Sequence, residues 1–170
     1  MNVNLRRILS VAVVLIAGAA FLQPFEGDAA SRSNQDGSLT GTWRVELNPR
    51  NCQTDEPRPP FSFLLSFAQD GTLTEVMNSP AFQPGQRTTG LGVWSHGHGN
   101  TYKTLWEAFI LFDSPGLTRG RQRLKWNFQV DGDQATIDAT SQFLDINSNV
   151  LGNTCATGTA TRFEGSHDED

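Results

Sequence analysis

From Gly41 onward, apolar and polar positions alternate along the chain, and no stretch keeps the longer period of a helix. The clearest case is Arg119 to Asp131, where Leu124, Trp126, Phe128 and Val130 interleave with Arg123, Lys125, Asn127 and Gln129. Seven further runs carry the same alternation: Gly41 to Asn48, Phe61 to Gln69, Thr72 to Asn78, Thr89 to Ser95, Tyr102 to Phe112, Gln134 to Ile146 and Cys155 to Phe163. Turn formers separate them. Asp70-Gly71, Gly97 with Gly99 and Asn100, Ser114-Pro115-Gly116, Asp131-Gly132-Asp133 and Asn147-Ser148-Asn149 each stand where one run must reverse into the next. Two longer joints, one from Asn51 to Pro60 and one with Pro80, Pro84 and Gly85, are proline-rich loops.

Eight short strands joined mainly by hairpins predict an all-β protein, an antiparallel meander. An open meander leaves two edges with unpaired backbone groups, and closure removes both. The expected fold is therefore an eight-stranded up-and-down antiparallel barrel, whose interior side chains fill or which holds one small ligand. A two-sheet β-sandwich is the rival, though it usually requires Greek-key crossovers rather than sequential hairpins.

The N-terminal pattern is of another kind. Arg6 and Arg7 precede an apolar run from Ile8 to Leu22, and small residues follow around Gly27 to Ala30. This reads as a signal peptide over 1–30, with an uncleaved anchor as the alternative. Residues 31–39 read as a flexible polar leader, 40–163 as the barrel, and 164–170 as an acidic disordered tail. The expected location is secreted or periplasmic, with no stable membrane insertion after cleavage.

Export changes the meaning of the two cysteines, Cys52 and Cys155. An even pair in an oxidising compartment predicts a disulfide that ties the end of the first strand to the start of the last. Two free buried thiols are the alternative. The net charge is −5, and the signal segment removes as many positive as negative charges. That balance argues against nucleic acid or an anionic membrane surface as partner. Arg119, Arg121 and Arg123 share one strand face, and the ordinary reading is a solvated surface.

The first run opens Gly41-Thr42-Trp43, and Arg162 stands near the end of the last. In a closed meander these strands are neighbours, so an inward Trp43 would plug one end with Arg162 across its indole face. Gly41, lacking a side chain, would let a neighbour approach. Gly41, Trp43 and Arg162, set in eight meander strands, resemble the lipocalins and the wider calycin group. That resemblance implies a barrel that binds a small apolar molecule. The long helix that lipocalins carry after the barrel and their T-D-Y loop motif have no counterpart here, so the expectation is a minimal lipocalin-like barrel. Allene-oxide-cyclase-like barrels would leave a similar trace. Phe63, Leu65, Phe67, Trp106, Trp126 and Phe128 are the expected ligand-lining residues. Inward alanines and serines such as Ala139 and Ser141 would leave room beside them.

Chemistry beyond a pocket has few candidates. His96-Gly97-His98 sits in a turn with only His167 besides, which does not make a zinc site, and no metal or cofactor is expected. No nucleophile motif is present. Asp and Glu fall mostly in turns or on outward faces, and Glu107, between Trp106 and Ala108, is the one to weigh. Pointing inward it would be an ionisable group in the lining; pointing outward, the favoured reading, a surface charge. Three functions follow: a carrier or binder of a small apolar molecule, a cyclase or isomerase acting on an oxygenated lipid through Glu107, or a solid barrel whose strand from Tyr102 to Phe112, apolar on both sides, docks a protein partner.

Overall fold

A computed structural model describes residues 38–163. The signal peptide, most of the leader and the acidic tail lie outside the described residues. The chain forms eight strands: β1 (Gly41–Arg50), β2 (Phe61–Phe67), β3 (Thr72–Met77), β4 (Gly90–His96), β5 (Thr101–Ile110), β6 (Gly120–Asp131), β7 (Gln134–Asp145) and β8 (Val150–Arg162). Each pairs antiparallel with the next, and β8 returns to β1, giving a closed barrel. The continuous ladder excludes the sandwich. Most strand ends fall within two residues of expectation. The exception is β8, which starts at Val150 rather than Cys155. Its first half, Val150 to Thr154, has polar or exposed residues on both faces, so alternation is lost although the ladder to β7 continues through a register shift at Phe143/Leu144.

The pairing register gives the barrel two unlike ends. Gly41, Phe67, Tyr102, Asp131 and Arg162 mark the base, which the short hairpins and the start of β1 close. Gly71 and Gly132 take positive φ there (88° and 59°), the conformation that only glycine adopts without strain. The mouth carries the longer joints, 51–60, 78–89 and 111–119. Closing eight strands brings inward side chains together, and the aromatic ones interlock. Trp126 lies 4.5 Å from Trp106 and 5.1 Å from Phe63, while Phe67 meets Phe128 at 5.5 Å, all edge to face. Leu39, expected in the leader, is fully buried, so the folded unit begins at least two residues before Gly41. Gly158 serves β8 differently from a cavity-forming residue. A side chain there would begin 2.5 Å from the Glu46 carbonyl on β1, so glycine allows the first and last strands their close approach.

Candidate functional site

The base is a built plug. Trp43 is completely buried, and its indole N–H donates to the Leu39 carbonyl at 2.8 Å. The Arg162 guanidinium lies 4.3 Å above the ring centroid. It donates from Nη2 to the Ser38 carbonyl at 2.6 Å, from Nη1 to the Thr40 carbonyl, and from Nε to Asp133 at 2.7 Å. Gly41 has φ of 121°, and a side chain there would begin 3.1 Å from Arg162 Nη1. Its glycine is thus required twice, by backbone angle and by the guanidinium beside it. One arginine holds the segment before β1, the end of β8 and the β6–β7 turn.

The mouth holds a cavity of about 270 Å³. Trp126, Leu124 and Leu47 form its floor, Ala139, Ser141 and Ala156 leave its space, and Pro80, Phe82 and Pro59 roof it from the 78–89 and 51–60 segments. Of the six residues expected to line a ligand, only Trp126 borders this cavity. Phe63, Leu65, Phe67, Trp106 and Phe128 all point inward but lie in packed core. Inward orientation was legible; height along the barrel axis was not. Trp43 pairs with Leu65, and Gly41 with Phe67, which sets these residues at the plugged end.

Two anchors fix the roof. Gln86, fully buried, donates from Nε2 to the Phe112 carbonyl (3.0 Å) and to Ser114 Oγ (2.7 Å), and accepts from the Gln83 N–H at 3.0 Å. Arg87 turns into the barrel. Its Nη1 meets Glu75 Oε2 at 2.9 Å, its Nε donates to Gln122 Oε1 at 2.8 Å, and its guanidinium lies 5.5 Å from the Phe82 ring. The Arg87 and Glu75 side chains are 4% and 0% exposed, so this is a buried ion pair inside a β-barrel. Burial pushes the Glu75 carboxyl above its ordinary range, and the Arg87 charge works against that rise. Space for the pair comes from β4. Side chains at Gly90 or Gly92 would collide with the Glu75 carboxylate and with Trp106, respectively. The Gly92-Val93-Trp94 stretch, which echoes Gly41-Thr42-Trp43, therefore exists for a different reason: Gly92 lets the β5 backbone at Leu105 and Trp106 approach closely, while Gly90 makes room for the Trp106 ring.

Glu75 was missed by sequence reasoning. The available signal was phase, since Glu75 falls in register with inward Leu73 and Met77. Glu107, the acid that was singled out, faces outward and bridges to Arg123 at 2.6 Å and Arg121 at 3.4 Å. Two of the three arginines thus form an ion-pair cluster on the surface. His96 rests against the Tyr102 ring at 4.9 Å, and His98 is exposed in the turn. The outer face of β4 and β5 presents Leu91, Val93, Leu105 and Phe109 to solvent, with Val93 opposite Leu105. Cys52 and Cys155 are bonded to one another, joining the loop after β1 to the mid-portion of β8 beside the mouth. A scan against protein-family models and a search of curated proteins each returned no match to this chain.

Proposed function

We propose that the protein is an exported, lipocalin-like barrel that binds or carries a small apolar molecule at its mouth without turning it over. The observation that carries this reading is the cavity of about 270 Å³, near the lower end of volumes typical of small-molecule sites. It is lined largely by apolar side chains, with Gln122, Ser141, Arg58, Ser79, Thr140 and Thr154 as its polar points. The plugged base supports kinship with the lipocalins, because Trp43, Gly41 and Arg162 stand in the arrangement that the resemblance implied. The disulfide supports an oxidising compartment outside the cytoplasm. Glu107, on which a cyclase or isomerase reading rested, is directed away from the interior and neutralised by arginines.

The test is intrinsic fluorescence titrated with terpenoids, short fatty acids and retinoids, since Trp126 borders the cavity. At least one probe class is expected to saturate the signal. Ala139 borders the same cavity opposite Trp126, and Ala139→Phe should fill it and weaken binding at least tenfold while far-ultraviolet dichroism is unchanged. A flat response of the unmutated protein to the whole panel refutes the reading.

A further inference from the structure

Three buried polar atoms have no hydrogen-bond partner around the Glu75–Arg87 pair: Glu75 Oε1, Arg87 Nη2 and Trp106 Nε1. Buried polar groups are rarely left unmatched, because each orphan forfeits its hydration without return. Glu75 links the three, paired with Arg87 on one side and beside Trp106 on the other. The ion pair is made end-on, through Nη1 and Oε2 alone, so the second atom of each fork is left over. The Trp106 indole nitrogen and Glu75 Oε2 lie 3.1 and 2.4 Å from the same point, the place where a Gly90 side chain would begin. The indole N–H leans toward the carboxylate but does not complete a hydrogen bond to it.

Glu75, Arg87 and Trp106 do not themselves line the cavity, but they lie one residue behind its wall. Gln122 and Phe82 both border the cavity, and both touch Arg87. The chemistry of this nest is specific. One orphan is an acceptor and two are donors, so the complement is a group with one donor and two acceptor sites. An alcohol hydroxyl has that inventory. The pair is also close to neutral overall, so an anionic headgroup would meet Glu75 and a cationic one would meet Arg87, each without its own water. An aldehyde or ether accepts only, and would leave Glu75 Oε1 unmatched.

We propose that the nest formed by Glu75, Arg87 and Trp106 is a hydroxyl-binding subsite, and that the molecule carried at the mouth is a small apolar alcohol. This rests on the cavity reading above. A water molecule offers the same hydrogen-bonding chemistry, and the experiment separates the two sources.

Three probes suffice, each titrated by tryptophan fluorescence at neutral pH: geraniol, its isomer citronellal, which carries an aldehyde in place of the alcohol, and geranate, the corresponding carboxylate. Geraniol is expected to bind about tenfold tighter than either. In Glu75→Gln, the carboxylate that repels geranate is gone and Arg87 lacks its counter-charge, so geranate should gain at least tenfold on geraniol. That inversion is not produced by a merely structural role. If the variant fails to fold, the three affinities of the unmutated protein decide the matter. Equal binding of all three overturns the subsite, assigns the nest to water, and leaves the cavity reading standing. Binding of none of them overturns the alcohol assignment, and a flat response across the wider panel as well removes the cavity reading itself.

Discussion

Replacing Arg162 by methionine tests how much one side chain holds the base closed. The methionine keeps most of the aliphatic stem and removes the guanidinium. In the folded protein the Arg162 side chain is 8% exposed, so its interactions act with little screening by water. A desolvated cation over a tryptophan face is worth about 2 kcal/mol. The bonds to the Ser38 and Thr40 carbonyls are charge-assisted, a class worth about 1.5–3 kcal/mol each, and without the guanidinium both carbonyls lose a donor. Asp133 is half exposed, and that ion pair adds less than about 1 kcal/mol. Desolvating the guanidinium on folding offsets part of this, and the expected net loss is about 4 kcal/mol. With a urea m-value of about 2 kcal/mol/M, the midpoint falls by about 2 M. Arg162→Lys keeps the charge but cannot span two carbonyls and Asp133 at once, so it should lie between the two. Urea titration followed by far-ultraviolet dichroism and by tryptophan emission reads both. A midpoint for Arg162→Met within about 0.3 M of the unmutated protein would show that the guanidinium is ornamental and that the barrel closes without it.

Removing the disulfide by Cys52→Ser with Cys155→Ser releases a sequence separation of 103 residues, and loop-closure entropy then sets the loss at about 4–5 kcal/mol in urea unfolding. A loss below about 1 kcal/mol would refute the loop-closure account and mean that the reduced, unfolded chain is already compact. Gly92→Ala puts a methyl group 2.2 Å from the Leu105 carbonyl oxygen and 2.3 Å from Trp106 Cβ, and should cost about 3 kcal/mol by overpacking. An unchanged melting temperature would contradict the tight seating of Trp106. Glu75 gives a pH dependence of known sign. Its folded-state pKa is raised above the ordinary 4.5 by burial, so the stability it contributes is full below that value and is lost as pH rises through the folded-state pKa. Asp70 and Asp145 are lowered by hydrogen bonds, chiefly from Thr72 and Asn149, so their contribution is lost only as pH falls below about 3.8. Between pH 7 and 4.5, thermal melts should therefore move in favour of the unmutated protein relative to Glu75→Gln as pH falls, and a constant difference between them refutes the assignment.

The strands were legible because alternation survives wherever one face is buried. Closure was legible because Gly41-Thr42-Trp43 and Arg162 stand at the first and last strands, and in the ladder Trp43 and Arg162 are Cα partners. The start of β8 was not legible, since Val150 to Thr154 runs along the mouth with neither face fully covered. Which inward residues border the cavity was not legible for a related reason. Phe63 and Ala139 are equally inward by pattern, and only the register of each hairpin says that bulk collects toward the base while Ala139, Ser141 and Ala156 collect near the mouth. The ion pair was hidden most thoroughly. Glu75 is in phase with the core of β3, but its partner Arg87 sits in a proline- and glycine-bearing loop with no period at all, and nothing local joins the two.

That concealed pair also explains why the cavity lies where it does. A barrel stuffed with aromatic side chains to its rim would have no space, and an unroofed one would expose its apolar lining to water. Here the roof from 78–89 is held at its far end by two side chains of opposite habit. Gln86 ties it outward to the 111–119 loop, and Arg87 ties it inward to Glu75 and Gln122. An apolar tether could have anchored the segment at lower cost, since desolvating an ion pair commonly consumes what its attraction returns. The ionic tether leaves two unused fork atoms, and the neighbouring Trp106 N–H lacks a partner as well. On the proposed reading, that deficit is the specificity: an alcohol completing the three atoms would also strengthen the tether that roofs it. Arg87→Met, which keeps the stem and cuts the fork, should then lose the preference for geraniol over citronellal and accelerate geraniol dissociation together. Loss of the preference with an unchanged dissociation rate would separate the roof from the nest and break this link.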